Sequence, residues 1–546
     1  MRNYELILLL LLYACKGGSS IPNKATLDHD FMQDDSDNVP GIMVQLRRRG
    51  FEEASHAFTD VINAKIRQVT VSIPDIKYSE TYLGATWEVT VSNMKIDHFD
   101  TPDAVSLTPS EPNFVDVYCP NLIIRGSADI FIRQPGFLPD INGKVFMSTK
   151  QATLLMSFVM NNNAYIAQPI SSDIIKCDAQ LGDWDIAFDL SGISGWIVDK
   201  ILSAFTYIFY GTISEYLQPQ VCDHAPNFVK TYVNDNSERI PPSISAKDVL
   251  ESMGITGNRE PSNTIRSYVR HILQSEKLKE LLLFYGVMQS TSDGNTFTVE
   301  LDGSFRQDFD SERPHFNHWK ISPSDSDATN EMMLGLFISD NTFNTLFAEM
   351  QRISFLDIVL RPDSPTSIGE FLRANCKQQS CLKDLVPVLQ RNGAFHGTDV
   401  YLRIRAKRAP SMVFGQDGRV FVDLLATADF MVDPNNWQGF GRLEIATNVD
   451  FNVAISEGNK LTLFANIAKL KLTEIGNGLR FTEADLDIDN EKLEGLEEEI
   501  NDVLGTLTIP TDIAEDFVTL RKTDVRIVEH ALQINVDFKF KPMSQE

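Results

Sequence analysis

Positive charge is scarce in this sequence: 49 Lys and Arg stand against 75 Asp and Glu, a formal net charge of −26. So acidic a chain repels nucleic acid, and net charge does not draw it to anionic membranes. Catalytic signatures are missing too. There is no Gly-x-Ser-x-Gly, no His-Glu-x-x-His, no Walker loop and no dinucleotide fingerprint. The nine histidines are scattered. Their one close pair, His315 and His318, has no nearby Cys and no third ligand, and reads as solvated loop. Asp183, Asp185 and Asp189 alternate as the wet face of a strand, and Glu497–Glu499 sit on an exposed helix face. Neither set offers a loop of converging oxygens for calcium. The expectation is a protein that is no enzyme, with no metal and no cofactor. Asn-x-Ser/Thr sequons are absent as well, so no N-glycan is expected.

Long apolar runs are also lacking. The longest near the start, Leu6–Ala14, follows Arg2 and is too short to span a bilayer. Small and polar residues come next, the pattern of a signal peptide over residues 1–20 cut within Cys15–Ser20. A lipoprotein signal ending at Cys15 is the rival, and Tyr13 suits it poorly. The expected protein is secreted and extracellular. Five cysteines remain for an oxidising compartment. Cys376 and Cys381 are close enough in sequence to close a small loop, and Cys119 is left over as a buried thiol.

What the chain does have is apolar patterning, 43% hydrophobic residues with 34 Phe. From Pro40 to Ile76 it reads strand, helix, strand. Gly41–Leu46 is a short apolar run; Phe51, Ala54, Phe58, Val61, Ile62 and Ile66 then recur at helical spacing. From Val69 the period becomes two and Pro74 stops it. Strand alternation recurs in Trp184/Ile186/Phe188/Leu190, in Leu443/Ile445/Val449/Phe451/Val453/Ile455 and in Leu532/Ile534/Val536/Phe538/Phe540. Weaker strands fall at Trp87–Val91, Leu122–Ile132, Ala152–Val159, Val400–Ile404 and Val420–Phe430. One wet and one apolar face is the mark of antiparallel sheet.

Two stretches break the β pattern. Trp196–Leu217 is helical in length and apolar nearly all round, which requires cover on both sides. That cover is either protein on both, or sheet on one and lipid on the other. Asp489–Leu507 is amphipathic, with Leu493, Leu496, Ile500 and Leu504 opposite an acidic face. Residues 240–326 read as a connector with an amphipathic helix (Ile265–Leu273, then Leu281–Phe284) and an acidic loop at its end. The second half opens with a strand and a helix capped by Ser339 or Asp340.

The opening segment resembles the start of the bactericidal/permeability-increasing protein, lipopolysaccharide-binding protein and lipid transfer protein family. Pro40, Gly41, Ile42, Val44, Leu46, Arg49, Gly50, Phe51 and Ala54 carry the resemblance, and the strand–helix opening of the second half repeats it. It implies an α+β fold, an elongated boomerang of two tubular barrels. Each would wrap a highly twisted antiparallel sheet around a long helix, with a central sheet joining them. It implies barrels at 39–239 and 327–546 and a Cys177–Cys222 disulfide. Function is implied as well: phospholipid acyl chains held in one tunnel per barrel, with transient membrane or lipoprotein contact, in a monomer. The linings expected are Phe58, Ile62, Trp196, Phe205 and Phe209 in the first half, and Phe343, Leu346, Phe347 and Ile500 in the second. An alternative is innate-immune recognition of lipopolysaccharide through the tip of the first barrel. The tips matching the basic tips of such relatives, Tyr82–Thr86 and Asp129–Asn142, carry almost no base. Arg47–Arg49 is the one basic run in that half, beside Glu52 and Glu53.

Overall fold

The computed structural model describes residues 39–540, apart from 67–70, 101–104, 135–139, 163–170, 192–199, 224–233, 235–240, 253–274, 312–320, 322–331, 376–380, 434–438, 488–492, 509–517 and shorter stretches. The expected signal peptide, the Ile265–Leu273 helix, His315, His318 and the acidic loop lie outside the described residues.

Local sequence sets the first joint of the fold. Strand β1 (Ile42–Arg47) runs directly into helix α1 (Arg48–Ile66). Two glycines make the joint possible by removing side-chain bulk. A Cβ on Gly41 would stand 2.7 Å from the Gly303 carbonyl oxygen, and one on Gly50 2.7 Å from that of Met333. At both positions another backbone packs where a side chain would go.

β1 does not stay with the first half. It pairs with β3 (Thr296–Leu301) on one side and β4 (Leu334–Ser339) on the other. The sheet runs β2 (Val287–Ser292), β3, β1, β4, β6 (Ala531–Phe540), β5 (Val518–Val528), so it sews the first strand of the chain to the last two. Because it pairs strands from both ends of the chain, it is termed the joining sheet. Its strands β2 and β3 come from the stretch read as connector, and Leu282–Phe284, expected to be helical, is a strand in a separate three-stranded sheet. Three consecutive apolar residues cannot distinguish a buried strand from a helix turn.

A nine-stranded sheet occupies the first half. Its spine is the 20-residue strand Phe114–Arg133, whose early part pairs with Ala152–Met160 and whose later part pairs with Ala85–Asp100 and Ile141–Thr149. The register breaks between Cys119 and Leu122, where Asn121 takes φ 54°, and the strand passes there from one set of partners to the other. A seven-stranded sheet fills the second half, with Arg419–Met431 and Gly439–Ser456 at its centre. Pairing is antiparallel throughout. The fold is therefore α+β and sheet-rich. The tubular barrels expected from sequence appear as twisted sheets whose described strand orders end at edges instead of closing.

Each sheet buries a core on its inner face. The described residues of 200–216 are helical and pack Phe209 and Ile213 against Val91, Ile96, Ile130 and Val145. In the second half Phe371, Leu372, Leu382, Val388 and Leu389, from a stretch of short helical turns not read from sequence, fill the core under Leu424, Ala428, Phe430 and Ile445. Helix α2 (Asp340–Arg352) is capped by Ser339, whose hydroxyl accepts from the Asn341 N–H. Asp340 then meets His530 Nδ1 at 2.9 Å and ties α2 to the β5–β6 turn. Burial raises the Asp340 carboxyl above the usual range, against the opposing pull of His530.

Candidate functional site

The two faces of the joining sheet differ in chemistry, and β1 shows why. Ile42, Val44 and Leu46 alternate with Met43, Gln45 and Arg47. On the first face Val44 lies opposite Val299 and Leu336, and Leu336 opposite Ile534. Ile42 lies opposite Leu301 and Ile338, and Ile338 opposite Leu532. All of these side chains are only half-buried. At one end of this strip Leu46, Leu334 and Ile534 pack on Met333, Val536 and Phe538. At the other, Leu532 and Ile527 pack on the core of the second half. The strip is a continuous apolar floor between the two halves, made from strands of both. Such a surface offers an alkyl chain dispersion contact and removal from water, and asks nothing polar of it.

The other face is polar yet buried. Gln533 and Asn535 are both 0% exposed and Arg47 is 6% exposed. Strand alternation alone gives β6 one apolar and one wet face; in the structure Gln533 and Asn535, on the polar face, are interior. Arg47 donates to the Met332 carbonyl oxygen at 3.3 Å and to Asn535 Oδ1 at 3.1 Å. Arg49 lies 3.7 Å from Asp537. The Arg47–Arg49 run is therefore split, with Arg47 turned inward and Arg48 and Arg49 outward.

The lining residues expected from sequence do not converge on one surface. Phe58 packs on Val105, Val117, Cys119 and Met156, whereas Phe209 is buried in the separate core beneath the nine-stranded sheet. Leu346 and Phe347 are buried around α2, and Phe343 bridges that cluster and the second-half core, edge-on to Phe414. Trp196, Phe205, Ile500 and the side chain of Ile62 lie outside the described residues. The 200–216 helix, expected to need cover on both sides, is buried on one: Phe209 is 0% exposed and Tyr207 84% exposed. Sequence reasoning missed the joining-sheet strip. Its signal was present in the Ile42/Val44/Leu46 alternation and in Leu334/Leu336/Ile338, but only the register shows that these form one surface.

Cys177 and Cys222 form a disulfide, and Cys381 is disulfide-bonded; Cys376, its expected partner, lies outside the described residues. Cys119 is free and buried, and burial pushes its thiol up to about 12. An open cleft of about 730 Å³ lies beside Leu472, Phe481 and Leu486. The Glu474 carboxylate in its wall already accepts from the N–H groups of Leu479, Arg480 and Phe481.

Comparison with known proteins gives one family match and several partial overlays. The C-terminal domain of the LBP / BPI / CETP family matches residues 283–539. No curated protein sequence matches the chain. Lipopolysaccharide binding protein overlays at TM-score 0.47 with 13% identity, over 92% of this chain and 99% of that one. P47 of Clostridium botulinum E1 overlays at 0.28 with 11% identity, over 92% and 100%. Takeout 1 of Epiphyas postvittana overlays at 0.22 with 12% identity, over 36% and 91%.

Proposed function

Since the chain belongs to the LBP / BPI / CETP family, through the C-terminal domain matched over residues 283–539, we propose that it is a secreted, non-enzymatic lipid carrier that holds phospholipid acyl chains against the apolar face of its joining sheet. The observation that carries this reading is the half-buried strip centred on Val44, Leu336 and Ile534, continuous with apolar clusters at both ends. Apolar side chains left half-exposed in a continuous strip mark a binding surface more than a finished core. Each CH₂ buried there contributes about 0.8 kcal/mol, so two acyl chains supply a large gross driving force with no charged contact. Selectivity then rests on the headgroup, and chain length is read loosely.

Loading of a fluorescent phospholipid from neutral vesicles tests the strip. Leu336→Trp fills its centre with a side chain that stays apolar. Loading should fall at least several-fold at an unchanged melting temperature. Wild-type loading by a folded variant would show that the acyl chains lie elsewhere.

A further inference from the structure

We propose that Arg47, Arg49, Lys522 and Lys539 form a binding site for a phosphate-bearing anion on the polar face of the joining sheet. This goes beyond acyl-chain carriage and uses the opposite face. The four cations come from both ends of the chain, and the fold gathers them. Arg47 closes β1, and Arg49 stands in the first turn of α1. Lys522 on β5 lies directly opposite Asp537 on β6, and Lys539 is two residues further along the same face of β6. Arg49 reaches the same Asp537 at 3.7 Å. Asp537 also accepts from the Met333 N–H at 3.0 Å, so its carboxylate is shared between an arginine and a backbone donor. Pairing register thus places Lys522, Asp537 and Lys539 on one face, at the end where Arg49 reaches Asp537, in a chain whose formal net charge is −26.

Two buried groups single out the site from ordinary surface charge. Arg47 is 6% exposed, and the oxygens it meets, Met332 O and Asn535 Oδ1, are both neutral. A buried guanidinium normally demands a carboxylate or phosphate. Beside it, Asn535 is 0% exposed and its Nδ2 has no acceptor. A cation lacking a counter-charge and a donor lacking an acceptor, side by side, are what an anionic oxygen satisfies. The helix adds to this. α1 has no acidic residue in its first turn, so the positive end of its dipole adds to the same field. Elsewhere arginines are matched: Arg403 with Asp357, Arg405 and Arg442 with Asp429, and Arg408 with Asp423. That ladder leaves little for an incoming anion, whereas the buried Arg47 meets only neutral oxygens.

The anion is a phosphate group, carried by a phospholipid headgroup or free in solution. The test uses the full-length secreted protein with vesicles of phosphatidylcholine, vesicles of equal parts phosphatidylglycerol and phosphatidylcholine, and inorganic phosphate. Wild type should prefer the phosphatidylglycerol vesicles. The surface variant R49Q/K522Q/K539Q should lose on the order of 100-fold in that binding, at about a factor of five per cation near an anionic surface. Millimolar phosphate that displaces the vesicles, and itself gives heat on titration, identifies the free ion as a ligand. Vesicle binding that persists in phosphate identifies a headgroup at a membrane surface. Arg47→Met tests the floor but also removes buried hydrogen bonds, so the surface variant decides. Equal binding to both vesicles with no phosphate heat, or a triple variant that binds as wild type, overturns the site. Lipid content after organic extraction, read in parallel, reports on the apolar face separately.

Discussion

At the residue scale, the positions that resembled a family opening have a physical reason to be what they are. Gly50 is glycine because Met333 O and the Leu46 side chain occupy the space of a Cβ, at 2.7 and 2.6 Å. Gly50→Ala should lower stability by about 1–3 kcal/mol, measured by chemical denaturation, since α1 must shift off the sheet to admit a methyl group. An unchanged midpoint would mean that the joint is looser than its contacts indicate. Cys119 gives a second prediction. Its thiol is raised to about 12 by burial, so the native protein should resist alkylation up to pH 9 and react promptly once unfolded. The sign follows from linkage: a thiol harder to ionise when folded stabilises nothing below its unfolded range and costs stability above it. Rapid native labelling would show that the Cys119 environment opens. The free Cys119 followed from the resemblance, which implies the Cys177–Cys222 pair, together with the short spacing of Cys376 and Cys381. The inward turn of Arg47 did not, because only the cover over that face of the sheet shows which of three consecutive arginines is buried.

At the element scale, sheet alternation was read well where one face meets water and the other a core. Trp184, Ile186, Phe188 and Leu190 do face the first-half core. It failed on β6, where Gln533 and Asn535 on the polar face are interior. Period-two patterns tell which residues share a face, not whether that face is wet. The acidic helix of the second half shows the same limit. Of its expected apolar stripe Leu493 packs on the second-half core, while Leu496, Ile500 and Leu504 lie outside the described residues, and its polar side does work the stripe does not reveal. Glu497 accepts from the Ile467 N–H at 2.6 Å, and Asn501 accepts from the Ala465 N–H at 2.6 Å and donates to the Ala465 carbonyl oxygen at 3.2 Å. These two side chains satisfy backbone groups of the strand Lys460–Ile475. In Asn501→Ala the Ala465 amide should exchange with solvent roughly tenfold faster, about the loss of one such hydrogen bond, while Leu443 and Ile445 in the sheet centre stay protected. Uniform loss of protection would mean that the helix holds up the whole sheet and not its edge.

At the scale of the whole molecule, the first strand of the chain is stitched between strands more than 200 residues away, so neither half completes its fold alone. The α+β, sheet-rich class followed from the alternation and the resemblance. The apolar strip across the joining sheet did not, because its members are scattered from Ile42 to Ile534 and only pairing register brings them together. The same sheet brings Arg49 to Asp537, which lies opposite Lys522. Function here is a property of the assembled sheet, apolar on one side and cationic at one end of the other. The measurement that tests the central claim most directly is native mass spectrometry of the secreted full-length protein, followed by organic extraction and identification of whatever comes off. Carriage predicts a mass excess matching bound phospholipid that disappears on extraction and diminishes in Leu336→Trp. A chain that emerges lipid-free and does not load from vesicles would contradict it.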